Sequence, residues 1–213
     1  MAQRPELVTS EQPMIAGQSP QLALARILSF IFSPPLTAIA SYVLILLNSA
    51  DTTLTNLQWI LLSLSIQLLP VTTLYLWRLR RGDYRDPDVS NRRDRNELYL
   101  LGSASLVITI ALLVVMHAPV EYLALAVGTL AIGVCFGLVN LFWKISMHAA
   151  GIASLTAISL IYLPILGIVM LALVMLVAWA RVRTRNHTLL QVLTGAVLAG
   201  ILMYASFIGI VLR

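Results

Sequence analysis

Two histidines, a lysine and a run of arginines stand out in this chain by type and spacing. Arg181, Arg183 and Arg185 lead into His187, and Gln191 falls one turn later on the same face if His187 opens a helix. From there the glutamine carbonyl can hold one ring nitrogen and leave the other free. A helix N-terminus beside three guanidinium groups is a ready seat for phosphate, with His187 turned toward its phosphorus. A second group, Lys144-Ile145-Ser146-Met147-His148, joins a cation, a hydroxyl and an imidazole just before an apolar run. A third, Asp86-Pro87-Asp88-Val89-Ser90-Asn91-Arg92-Arg93-Asp94-Arg95, mixes both signs of charge in one loop. Each has a plainer reading: Ser146 as a helix cap, the arginines as head-group anchors, the mixed loop as a solvated juxtamembrane segment. Against so apolar a background, polar residues at span ends favour function.

The second and third groups resemble the type 2 phosphatidic acid phosphatase superfamily. Its signature runs Lys-x6-Arg-Pro, then Pro-Ser-Gly-His, then Ser-Arg-x5-His-x3-Asp. Arg181 takes the third-motif arginine, His187 follows after five residues, and Gln191 stands where the family usually carries Asp; Val192 and Gly195 continue the extension. Ser146 and His148 fit the second motif, with Ile145 and Met147 in place of Pro and Gly. In the first motif Arg95 matches the arginine, while Asp88 stands at the lysine and Asn96 at the proline. Lys144, four residues before His148, offers the missing cation from another loop. The likeness covers roughly Asp86 to Gly200, and the third motif is its specific part.

The resemblance implies a metal-independent phosphatase without a cofactor. His187 would attack phosphorus to give a phosphohistidine, and His148 would protonate the leaving oxygen. Arg181, Arg95, Lys144 and the neighbouring Arg92 would hold the phosphoryl oxygens, with hydrogen bonds from the Ser146 region. Such chemistry needs mainly a positioned nucleophile and cations around developing charge. Gln191 looks like the dolichyl diphosphatase branch, which implies a polyprenyl diphosphate substrate. A neutral amide orients imidazole without stabilising imidazolium, so the same residues also fit a weak or inactive relative that binds or transports a lipid phosphate. A third reading uses Asp83, Asp86, Asp88 and Asp94 to hold Mg²⁺ for prenyl or alcohol-phosphate transfer, but the acidic repeat is absent and nearby arginines compete.

The elements that must position these groups are membrane helices. In 213 residues, 59% are hydrophobic and only 11% charged, and the mean hydropathy is +0.89. That excludes an ordinary soluble domain and leaves an all-α, polytopic transmembrane helical bundle. A bilayer is crossed by about 20 apolar residues. Runs that exclude charge are Ile27 to Leu47, Leu57 to Trp77, Leu98 to His117, Tyr122 to Trp143 and Leu189 to Leu212. Ala149 to Ala180 holds 32 uncharged residues, about 48 Å as one helix, which is too long for a comfortable span. Pro164 at its middle divides it into two short spans hinged at Leu163, so six to seven spans are expected. Ser33-Pro34-Pro35 breaks or kinks the first run, which then dips into the membrane or crosses it bent. Residues 1–22 are polar and proline-bearing, without the order of a cleavable signal, and read as a disordered tail before a membrane domain at 23–213.

Positive charge gathers on one side of these spans. Thirteen of the 14 lysines and arginines, all but Arg213, fall in the N-terminal segment and in alternate loops. The positive-inside rule puts that face in the cytoplasm of a cell that inserts the protein in its inner membrane. The pI near 9.8 invites a nucleic-acid reading. However, the basic residues lie in short loops without interleaved aromatics, so the bilayer and a lipid phosphate are the expected partners. One cysteine, Cys135, lies inside an apolar run and supports neither a disulfide nor a thiol metal site. Gln67 and Asn140 read as interhelical hydrogen bonders, and Gly128, Gly133 and Gly137 as close-packing positions.

Overall fold

A computed structural model describes residues 19–49 and 53–212, and every regular element among them is helical. In chain order these are α1 (Pro20–Ile31), α2 (Pro34–Asn48), α3 (Thr53–Arg81), a 3₁₀ turn at Arg92–Arg95, α4 (Asn96–Val115), α5 (Val120–Asn140), α6 (Met147–Tyr162), α7 (Pro164–Arg183) and α8 (Leu189–Ile210). Five of them, α3, α4, α5, α7 and α8, are long and apolar enough to cross a membrane, so the chain has the make-up of a multi-pass membrane protein. Helices α1 and α2 form a sixth candidate bent by 50°. The break falls where the sequence puts it. Ser33 is the N-cap residue of α2, Pro34 sits at its first turn, and a proline there cannot donate backward into α1.

Residues 1–18 lie outside the described residues, but the expected tail boundary at 22 is too late. Ser19 caps α1 by accepting from Leu22 N–H at 3.4 Å, and Pro20 opens the helix. Exposed Leu24, Ile27 and Phe30 give this short helix an apolar outer side.

The 32-residue apolar stretch folds back on itself as expected. Leu163 leaves helical geometry at φ −138°, and Pro164 starts α7 without an N–H to continue α6. Gly167 lets the two arms approach, since a Cβ there would stand 2.6 Å from the Leu160 backbone nitrogen. Farther along, Ala149 and Ala153 of α6 pack in one buried cluster with Ala178 of α7 and Val192 and Ala196 of α8. The hairpin therefore returns residue 181 to the level of residue 148.

The first arm is not a span like the others. Helix α6 has 16 residues, about 24 Å of rise, and is the packing centre of the bundle, touching α2, α7 and α8. Its small residues allow this. A Cβ on Gly151 would run into Thr37 of α2, and Ala149, Ile152 and Ile158 are fully buried. Lipid offers no hydrophobic drive between apolar helices, so close contact through small side chains is what holds such a bundle. Gly128 plays the same part where a Cβ would meet Met203 Sδ at 2.8 Å.

The interhelical bonds expected of Gln67 and Asn140 are present. Gln67 Nε2 donates to Tyr42 Oη at 2.9 Å, and Asn140 Nδ2 donates to Asn96 Oδ1 at 2.9 Å. At the other end of the bundle Tyr122 donates to Asn56 Oδ1 at 2.8 Å and stacks on Tyr42.

Candidate functional site

The loop between α3 and α4 is built to hold one residue, Asp88. Helix α3 ends at Gly82, whose φ of 76° suits only glycine comfortably, with Asp83 N–H bonded back to Arg78 O at 3.0 Å. Arg78 then clamps the two loop ends together through Asp83 at 3.0 Å and Glu97 at 2.7 Å. Tyr84 also donates to Glu97, at 2.8 Å; burial first and this carboxylate second push its phenol pKa up. Asp86 accepts from Ser90 N–H at 3.2 Å and from its hydroxyl at 3.0 Å. Val89 takes a φ of 46°, a costly conformation for a β-branched residue.

Arg95 explains that turn. Its Nε donates to Val89 O at 2.7 Å, its Nη2 to Asp88 O at 3.1 Å and its Nη1 to Ile145 O at 3.2 Å. The buried guanidinium thus ties the first loop to the segment that precedes α6. Arg95 was expected as a phosphate ligand. Its nitrogens are engaged with main-chain carbonyls, so its part is a girder that also lends positive potential.

Lys144, Ser146 and His148 follow on the next connection. Ser146 is fully buried and caps α6, its Oγ accepting from Ala149 N–H at 3.5 Å. Lys144 is half-buried and donates no hydrogen bond to any described residue. Burial first, then the charges of Arg95 and Arg181, pull its pKa down, with Asp86 and Asp88 opposing. His148, in the first turn of α6, lies within electrostatic reach of Arg181, Asp88 and Arg95 and beside the Ser29 carbonyl.

The third group completes the cluster. Arg181 is 1% exposed, near the C-terminal end of α7. Its Nη2 pairs with Asp88 Oδ1 at 3.3 Å, while Nε and Nη1 are buried without a partner among the described residues. Asn186 donates to the other oxygen of Asp88. His187, also buried, leaves Nδ1 without a partner. Its pKa lies far below the ordinary imidazole value, because of burial first and then the charges of Arg95, Lys144 and Arg181. A neutral imidazole keeps a lone pair for nucleophilic attack.

Gln191 interacts with the His187 ring through its side chain, as expected, and raises its proton affinity. Its Oε1 also accepts from Thr188 N–H at 3.1 Å, closing a capping box with Thr188 Oγ1 at the start of α8. An amide oxygen accepts two hydrogen bonds, so the cap and the imidazole can share it. Another expected role does change. Arg92 was expected among the phosphate ligands. Its Nη1 instead caps the C-terminus of α5 on the carbonyls of Asn140 and Leu141, where a cation meets the negative end of the helix dipole.

Arg181, His187, His148 and Lys144 thus gather at one end of the bundle, and Ser146 caps the helix beneath them. Sequence reasoning missed Asn186 and the contact made by Asp88. Asn186 lies in the unspecified stretch between Arg181 and His187, and nothing in its spacing marks it. Among the described residues no three His, Cys, Asp or Glu side chains converge as a metal site. Comparison of the chain with protein-family models, with curated proteins and with solved structures finds no match.

Proposed function

We infer that the protein is a membrane-embedded lipid phosphatase that hydrolyses a phosphate or diphosphate ester, with a polyprenyl diphosphate preferred, on the arginine-rich face of the bundle. One observation carries the reading. Arg181 is buried with two nitrogens unpartnered among the described residues and lies within electrostatic reach of His187, whose pKa is held low, so an anion acceptor and a nucleophile share one region of positive potential. In the reaction an imidazole nitrogen of His187 attacks phosphorus, and the bond to the leaving oxygen breaks. Burial first and then the charge of Arg181 hold the His148 pKa low, and the negative charge of the incoming phosphate opposes them, so His148 takes up a proton with the substrate and gives it to that oxygen. Water then attacks the phosphohistidine, His148 takes up the water's proton, and orthophosphate leaves. Arg181 and Lys144 hold the phosphoryl oxygens throughout.

Phosphate release from polyprenyl diphosphate in detergent tests this. Wild type turns over without added metal and in EDTA, whereas His187→Ala, His148→Ala and Arg181→Ala lose activity. Full activity in His187→Ala would overturn the mechanism. A second reading, a protein that binds or transports lipid phosphate without hydrolysis, is favoured by Asp88 on Arg181 and by the neutral amide of Gln191 at His187. It expects binding with no release of phosphate by wild type.

The face itself is proposed to be cytoplasmic, on the inner membrane, from Arg80, Arg81 and Arg85 outside the cluster. A cysteine placed at exposed Arg93 in a Cys135→Ala background would then be shielded from an impermeant maleimide in intact cells.

A further inference from the structure

The site holds a carboxylate where the resemblance leads one to expect a cation. Asp88 lies on the buried Arg181 through Oδ1 at 3.3 Å, and Asn186 grips its other oxygen. Main-chain bonds fix its position, since the Asp88 and Val89 carbonyls both accept from Arg95. Arg95, Arg181 and Lys144 share its surroundings, and Asp86 is the other carboxylate within reach of Lys144. Asp86 is committed to Ser90. That leaves Asp88 as the carboxylate in direct contact with the arginine whose Nε and Nη1 are still unsatisfied. A buried guanidinium without a counterion is costly, so this contact stabilises the cluster.

We propose that Asp88 is a tethered internal counterion that screens Arg181 from singly charged phosphodiesters and yields only to a phosphate group of higher charge. The inference rests on reading the cluster as a phosphate site. The physical reason lies in the medium. A membrane surface is crowded with phosphodiester head groups, each carrying one negative charge on phosphorus. A free arginine there would be occupied by bulk lipid. Such a diester gains no charge over the carboxylate it must displace, and the carboxylate is already tethered. A terminal phosphate or diphosphate brings at least one further negative charge to Arg181, Lys144 and Arg95. It also brings oxygens for the two idle nitrogens of Arg181. Selectivity then arises from an internal competitor as well as from attraction.

The test measures binding of three probes to the purified full-length protein in detergent at pH 8: diphosphate, orthophosphate and dimethyl phosphate. Wild type should prefer diphosphate to dimethyl phosphate strongly. Asp88→Asn keeps an acceptor for Asn186 but removes the charge. It should bind all three more tightly and narrow the preference by about tenfold or more, as expected when a close like charge is removed from an anion site. Asn186→Ala loosens the tether and should move both quantities the same way by less, which guards against a folding defect peculiar to Asp88→Asn. An unchanged preference, or weaker binding of every probe in both variants, overturns the counterion proposal while leaving the phosphate site standing. No binding of any probe by wild type or variants sinks the phosphate-site reading itself.

Discussion

Gly195 of α8 lies directly over the carbonyl of Ser146, where an added Cβ would stand 2.9 Å from that oxygen and 3.4 Å from Ile145 Cγ1. Through this contact the helix that follows His187 rests on the segment that caps α6 below His148. Backbone oxygen cannot step aside as a flexible side chain can. Gly195→Ala should therefore lift α8 and separate the histidines. A shift approaching 1 Å costs catalysis about a hundredfold, while overpacking costs stability about 1 to 3 kcal/mol. Gly200→Ala is the control, because its Cβ would sit 3.9 Å from Ala153 O, an ordinary contact. Turnover and thermal unfolding of the two variants in detergent separate a positional effect from a general one.

His187 gives the fold a pH dependence whose sign follows from its depressed pKa. Near neutral pH it is uncharged whether the chain is folded or unfolded. Below the ordinary value of about 6.5 the unfolded chain takes up a proton that the folded site refuses. Stability attributable to this residue is thus fully present above about pH 6.5. It is lost as the pH falls toward the folded value, with a limiting slope of about 1.4 kcal/mol per pH unit. His187→Gln removes this share of the linkage and leaves that of His148, whose pKa is also held down, by burial first and then by Arg181. Unfolding temperatures between pH 7 and 5 should fall more steeply for wild type than for the variant, and parallel curves would contradict the assignment.

Arg95 and Arg181 are both buried arginines, yet they should fail in different ways. Arg95→Lys strands carbonyls of Val89, Asp88 and Ile145 that one ammonium cannot reach together. Each unsatisfied buried group costs about 1 to 3 kcal/mol, so unfolding temperature and protease resistance of the 82–95 loop should drop sharply. Arg181→Lys keeps a charge for Asp88 and should spare the fold more, but it removes the Nε and Nη1 donors and with them phosphate affinity. Thermal stability and orthophosphate affinity, measured on both variants, should rank them in opposite order.

Much of this frame was legible in the sequence because single residues dictated it. Pro34 and Pro164 each remove a donor and the breaks fall at both, although Pro70 loses the same donor inside an unbroken α3. Arg181, Ser146, His148 and His187 carried a motif spacing, and the fold brings them to one end. What stayed hidden depends on where long side chains reach. Arg92 and Arg95 are near neighbours in sequence, but one caps α5 and the other bridges two loops. Nothing in their spacing separates these fates. The spacing of Gln191 from His187 points to their interaction, but not to the second contact of the same side chain, with the backbone N–H of Thr188. The role of α6 was equally hidden, since its apolar run looks like a span until its small residues are seen against α2, α7 and α8.

Arg92 supplies the sharpest contrast with the arginine beside the histidines. Its guanidinium lies on the Asn140 and Leu141 carbonyls, and Asn140 Nδ2 returns a bond to Arg92 O at 2.7 Å. These contacts close the C-terminal end of α5 against the start of α4, without touching Arg181 or His187. Arg92→Met should therefore cost about 1 kcal/mol, the scale of a cation at a helix C-terminus. KM and phosphate affinity should stay at wild-type values. Asn140→Ala removes the other half of the clasp and should cost as much or more, while the double variant should lose less than the sum because the two bonds share one junction. A raised KM in Arg92→Met with unaltered unfolding temperature would return this residue to the phosphate ligands and show that the clasp opens when substrate binds.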